Sequence, residues 1–168
     1  HCESSAASDV YKRQVMVATS GDILVNEEII DSIKNNLIKK SFLITPNIYE
    51  AEILSGIKIK NLEDQIAAGK KLKNNGCANV LIKGGHGNLE DIHDVLITSE
   101  AKQHIFKSKK IKTENTHGTG CTLASAIAVN IGHKNDITES IDVSINYVQN
   151  GINKAPGFGS GNGPIRHF

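Results

Sequence analysis

Apolar positions recur along this chain in two periods, and the switches between them predict most of its elements. Ile29, Ile30, Ile33 and Leu37 fall at helical spacing behind Asn26, with Glu27 and Glu28 in the first turn, so a helix burying one face is predicted there. Ser41–Thr45 is a short strand stopped by Pro46. Asn47 then caps a helix running through Glu50, Ala51, Glu52, Ile53 and Leu54 to Gly56. Asn61 opens another, with Leu62, Ile66 and Leu72 inward and Lys70, Lys71 and Lys73 outward, ended by Asn74-Asn75-Gly76. Asn79–Lys83 reads as a strand closed by Gly84, Gly85, His86 and Gly87. Two apolar stretches, Ile92 with Val95–Ile97 and then Gln103–Phe106, flank Thr98-Ser99-Glu100 as a hairpin would. A helix follows from about Thr119 to Asn130. The last begins near Asp136, sets Ile137, Ile141, Ile145, Val148 and Ile152 on one face, and breaks at Pro156 before a glycine-rich loop.

Strand and helix alternate through most of this order, which predicts an α/β class with a mainly parallel sheet. Only the start departs from it. His1–Gln14 is small and polar, and it switches abruptly to Val15-Met16-Val17-Ala18, which reads as the end of a buried strand before a turn at Thr19–Asp22. The expected organisation is therefore a non-native leader over residues 1–14 and one domain over 15–168. A length of 168 residues suits one domain, and a net charge of +1 gives no footprint for nucleic acid or an acidic membrane surface. Four lysines between Lys107 and Lys112 read as an exposed, partly extended segment. The longest apolar run, Leu123 to Val129, is too short to span a bilayer, and no basic-then-apolar secretion signal opens the chain. Cys2, Cys77 and Cys121 form no CxxC pair, which points to a reducing, cytoplasmic setting.

The chemistry concentrates in Asn115-Thr116-His117-Gly118-Thr119-Gly120-Cys121-Thr122. A glycine turn entering a helix aims free backbone N–H groups at one spot, where the helix dipole favours negative charge. Phosphate or a developing oxyanion would be held there. Cys121 near the helix start could accept a proton or act as a nucleophile; equally it could be a small packing residue. Asn47 and Glu50, at i and i+3, share a helix face and offer oxygen to Mg²⁺, yet the same pair reads as a cap with a dipole-facing carboxylate. Lys83 ends a strand beside glycines, where open α/β sheets gather ligands; it reads as readily as a solvated lysine.

Four motifs fall in one order: Thr45–Glu52 (TPNIYEAE), Val80–His86 (VLIKGGH), Thr116–Thr122 (THGTGCT), and Ala155-Pro156 through Gly163–Phe168 (GPIRHF). Together they resemble the hydroxymethylpyrimidine/phosphomethylpyrimidine kinases of thiamine biosynthesis, a ribokinase-like family, over about residues 15–168. In the wider superfamily the glycine turn ends in an Asp base; Gly-Thr-Gly-Cys points to the pyrimidine kinases and their pyridoxal-kinase relatives. The resemblance implies ATP-dependent phosphorylation of 4-amino-5-hydroxymethyl-2-methylpyrimidine and then of its monophosphate. It implies Cys121 as the base, the amides of Gly118, Thr119 and Gly120 as the anion hole, Asn47 and Glu50 around hydrated Mg²⁺, and Lys83 on the phosphates. It also implies a homodimer for the full-length protein. Family members are longer, and their first part carries the pyrimidine pocket and a lid. Before Val15 they usually have Asp-Pro where this chain has Arg13-Gln14. A chain without that part is expected to show little or no activity. The other readings are a kinase for pyridoxal or a sugar (Cys121 in place of Asp argues against sugar), a non-catalytic nucleotide-binding module, and thiol chemistry at Cys121.

Overall fold

The structure, a computed structural model, describes residues 27–85, 91–158 and 161–167. The readings on His1–Asn26, on His86 and Gly87, and on Phe168 lie outside those residues. The chain divides into two compact units, His1–Ser108 and Lys109–Phe168, each taken by itself.

In the first unit, helix α1 (Glu27–Ser32) passes into a π turn at Ile33–Leu37 and a 3-10 turn at Ile38–Lys40. The wider π turn, with Ile38 N–H bonded to Ile33 O, shifts the phase of the helix face. Ile30 and Ile38 are therefore the buried positions, Leu37 is half-buried and Ile29 is exposed, which corrects the evenly spaced face read from the sequence. Strand β1 is short, Leu43–Ile44, and leads to α2 (Ile48–Ser55). Gly56 ends α2 at φ 69°, a left-handed conformation that glycine adopts without steric cost. Helix α3 spans Leu62–Asn74, with Asn61 Oδ1 accepting from Asp64 N–H at its start. Its most buried residues are Gln65, Ala68, Gly69 and Leu72, while Leu62 and Ile66 are only half-buried. Small residues win that face because β3 passes close by. A Cβ on Gly69 would lie 2.8 Å from Ile97 Cγ1.

Strands β2 (Asn79–Ile82), β3 (Asp91–Ile97) and β4 (Gln103–Lys109) complete a four-stranded sheet in the order β1-β2-β3-β4. β1 and β2 pair in parallel, Leu43 opposite Asn79, whereas β2 and β3 are antiparallel, Ile82 opposite Val95. β3 turns into β4 through Thr98–Lys102, closed by Thr98 N–H on Lys102 O at 2.9 Å. Among the described residues the sheet is thus mixed rather than mainly parallel. The antiparallel pairing of β3 against β2 is the cause. β2 is buried on both faces, and it reads in sequence as an unbroken apolar run. β4 alternates exposed and half-buried positions, as an outer strand does. Ile38, Ala51, Leu54, Ala68, Leu72, Cys77, Val80 and Ile82 form the core of this unit.

The second unit is built on α4 (Thr119–Gly132) and α5 (Ile137–Asn153), which pack on each other. Asp136 Oδ2 accepts from Thr138 N–H to cap α5. The predicted stripe holds: Ile141, Ile145 and Val148 are buried, with Ser140, Ser144 and Gly151 beside them. Asn130 Nδ2 ties α4 to α5 through Ser144 Oγ at 3.3 Å.

Candidate active site

At the end of β2 the first unit gathers Asn47, Glu50 and Lys83. Lys83 N–H donates to Pro46 O at 2.9 Å, and Asn47 and Lys83 form a parallel bridge that extends the β1–β2 pairing. Pro46 stops β1 as a strand while its carbonyl still serves the ladder. Asn47 and Glu50 close a reciprocal capping box: Asn47 Oδ1 accepts from Glu50 N–H at 2.8 Å, and Glu50 Oε2 accepts from Asn47 N–H at 2.9 Å. The capping role read from the sequence is therefore present. Glu50 is buried to 9 % exposure, and its Oε1 takes no part in the box. A carboxylate oxygen outside the box fits Mg²⁺ held through its water shell, because that ion dehydrates reluctantly. Asn47 Oδ1 is already committed to the helix. Among the described residues no three His, Cys, Asp or Glu side chains form a metal cluster.

Two residues that the sequence reading missed hold this strand end. The ladder between β2 and β3 stops at Ile82, and Gln65 Nε2 takes its place, donating to Ile82 O at 3.0 Å and His93 O at 2.9 Å. Asp94 Oδ1 accepts from Gly84 N–H at 2.7 Å. Burial pushes the Asp94 carboxyl above the usual carboxylate range, against the opposing pull of the Gly84 N–H and the Lys83 charge. Each carried a signal in the sequence: a lone acid inside the apolar run Ile92–Ile97, and a glutamine on the inward side of α3.

In the second unit, Gly118, Thr119, Gly120 and Cys121 form one turn. Gly118 is the residue before α4 and has φ 85°. Only a residue without Cβ enters that conformation freely, and it has no side chain to cap the helix. Thr119 N–H makes a long bond of 3.3 Å to Thr116 O. Thr122 N–H donates to Gly118 O at 2.9 Å, a full-turn bond at the start of α4. Cys121 lies half-buried in the first turn. An uncapped helix start with a thiol in its first turn can hold an anion beside a proton acceptor.

Residues 9–166 match the model of the phosphomethylpyrimidine kinase family. The chain belongs to that family. Curated relatives include the hydroxymethylpyrimidine/phosphomethylpyrimidine kinase of Bacillus subtilis, 38 % identical over 156 residues, covering 92 % of this chain and 57 % of the relative. The thiamine biosynthesis bifunctional protein ThiED of Geobacter sulfurreducens is 40 % identical over 154 residues, covering 92 % and 31 %. The chain thus spans little more than half the length of the Bacillus subtilis kinase it matches. Among solved structures, the phosphomethylpyrimidine kinase of Clostridium difficile superposes with a TM-score of 0.68 at 34 % identity, covering 80 % of this chain and 53 % of that one. The ADP complex of Bacillus subtilis pyridoxal kinase gives 0.79 at 29 % identity, covering 86 % and 56 %. The fold of this phosphomethylpyrimidine kinase relative is accordingly α/β and ribokinase-like. No helix among the described residues is long and apolar enough to cross a membrane.

Proposed function

We propose that the protein phosphorylates 4-amino-5-hydroxymethyl-2-methylpyrimidine with ATP, and then its monophosphate, to supply the pyrimidine diphosphate of thiamine biosynthesis. The observation that carries this reading is the α4 turn, an uncapped glycine entry at φ 85° with Cys121 in the first helical turn, inside a match to this family over residues 9–166. The attacking hydroxymethyl oxygen gives its proton to Cys121 and forms a bond to the γ-phosphorus as the bond to the β-phosphate oxygen breaks and ADP leaves. In the second step a phosphate oxygen of the monophosphate attacks. The amides of Gly118, Thr119 and Gly120 take the negative charge on the transferring group, and Lys83 balances phosphate charge, which is most of what phosphoryl transfer asks of a protein. Mg²⁺, when bound, would screen the phosphates, with Glu50 holding it through water and Asn47 fixing Glu50.

A second reading, pyridoxal phosphorylation, is favoured by the likeness to Bacillus subtilis pyridoxal kinase. Both are tested together. AMP-PCP with Mg²⁺ is titrated into the 168-residue chain, and phosphoryl transfer from ATP is followed with the pyrimidine and with pyridoxal as acceptors. Saturable AMP-PCP binding that Gly118→Ala weakens is expected, with any transfer favouring the pyrimidine. A folded chain that binds no nucleotide would remove the kinase reading, and transfer favouring pyridoxal would replace the substrate.

A further inference from the structure

The motif that closes the described chain has no part in the chemistry above, yet the structure stitches it to the anion turn. The stretch from Gly163 to His167 is docked on α5 at three points. Ile165 is buried at 4 % exposure, Arg166 N–H donates to Gly151 O at 3.0 Å, and Tyr147 Oη donates to His167 O at 3.0 Å. The fit to α5 is close enough that a Cβ on Gly151 would stand 2.8 Å from Arg166 O. From this anchorage the segment runs parallel to the entry of the turn: His117 and Pro164 form a bridge, and His117 N–H donates to Gly163 O at 3.1 Å. Gly163 itself is pressed against Asn115. A Cβ added there would overlap Asn115 Oδ1, lie 3.1 Å from Asn115 Cγ and 3.2 Å from Phe158 O. Upstream, Asn115 N–H is held by Thr113 Oγ1 at 3.1 Å and Thr116 N–H by Glu114 O at 2.9 Å.

The turn is therefore fixed at both ends. Its helix end is set by α4 packing on α5, and its entry is set by a strand-like segment docked on the same α5. Gly118, at φ 85°, is the joint between these supports, directly after the held His117 peptide. Because α4 holds the far side of the turn, a peptide tilt at His117 must be taken up in the torsions of Gly118 and so in the direction of the amides that follow. We propose that Gly163 is a positioning residue for the anion turn: the 163–166 segment, docked on α5, holds the His117 peptide and so aims the Gly118–Gly120 amides. The inference rests on the reading of that turn as the phosphate-holding element. A glycine is required because the segment must approach Asn115 without a side chain between them.

A double-mutant cycle in the 168-residue chain tests it, with ADP and Mg²⁺ as the probe and backbone amide resonances as the readout. Gly163→Ala is expected to move the free-state resonances of Gly118, Thr119 and Gly120. It should also weaken ADP binding about tenfold, the scale of one displaced hydrogen bond. In an Asn115→Ala background the same substitution should cost little, because the overlapping carboxamide is gone. Resonances of the first half of α5 should stay in place in every variant. Equal losses in both backgrounds, or unmoved turn amides in Gly163→Ala, overturn the proposal. If Gly163→Ala does not fold, the unaltered chain decides through reciprocity: ADP should slow hydrogen exchange at the His117 and Arg166 amides, and unchanged protection there overturns it. ADP that perturbs none of Gly118–Gly120 counts against the phosphate reading instead, and the free-state shifts then decide the positioning role alone.

Discussion

Gly84 and Gly85 are neighbours with opposite expectations. A Cβ on Gly84 would overlap His93 O, lie 2.9 Å from His93 C and 3.1 Å from His93 N, all backbone atoms of β3 that cannot rotate aside. Non-bonded carbons settle at about 3.5–4.0 Å, and the overlap with His93 O is closer still, so Gly84→Ala must separate the loop from β3 by about 1 Å or more. Three bonds cross that gap or brace it: Gly84 N–H to Asp94 Oδ1 at 2.7 Å, and Gln65 Nε2 to His93 O and Ile82 O at 2.9 and 3.0 Å. A displacement of that size breaks the first and stretches the second. One bond to the Asp94 carboxyl plus part of a neutral one places the cost at about 1–3 kcal/mol. For Gly85 no atom of the described residues stands within 4 Å of an added Cβ, and no positive φ is required there. Gly85→Ala should therefore lie between neutral and about 1 kcal/mol stabilising, through the narrower unfolded ensemble. Urea unfolding of the two variants at neutral pH measures the difference, and AMP-PCP titration reports whether a displaced Lys83 weakens nucleotide binding. Equal midpoints for the two variants would show that the close approach of Gly84 to β3 is not what the structure describes.

Asn47→Ala removes one half of the capping box and should cost about 1 kcal/mol in urea unfolding; no change would mean the cap is dispensable. Asp94→Asn keeps an oxygen acceptor for Gly84 N–H but cannot ionise. Burial raises the Asp94 carboxyl, so above the ordinary carboxylate range the folded state keeps a proton that the unfolded state has released. Wild-type stability then falls as pH rises above the ordinary carboxylate range, and the Asn variant should gain relative stability over the same rise; a pH-independent difference in urea midpoints would contradict it. Burial also pushes the Cys77 thiol up to about 12, so iodoacetamide at mildly alkaline pH should reach Cys77 only after unfolding, as peptide mapping would show. Leu81→Ala, in a strand buried on both faces, should cost about 2–5 kcal/mol in the same unfolding assay.

Local signals carried most of the elements. Asn47, Asn61 and Asp136 cap helices because an Asx oxygen reaches N–H groups two or three residues ahead, a distance that the sequence itself contains. The α5 stripe, Gly56 as a helix stop and the hairpin are local in the same sense. So was the glycine turn, since a glycine entry to an alanine-rich helix needs no distant partner to be recognised. The evenly spaced face of α1 failed because a π turn, a non-standard winding, resets the phase at Ile33.

What only tertiary structure decided depends on partners far apart in the chain. Nothing within a few residues of Gln65 announces that its amide replaces a ladder bond between Ile82 and His93. Nor does anything near Asp94 say that its acceptor role falls on Gly84. The pattern reads Gly157–Pro164 as a loop, yet Gly151, Tyr147 and His117 hold the Gly163–His167 stretch in place. The sequence by itself determined the helices, their caps, the glycine turn and its cysteine, because those are set by torsions and by neighbours one turn away. Tertiary structure decided which buried polar groups hold that turn and the Lys83 strand end in position. A buried donor or acceptor must find a partner wherever the chain brings one, and the chain order does not say where.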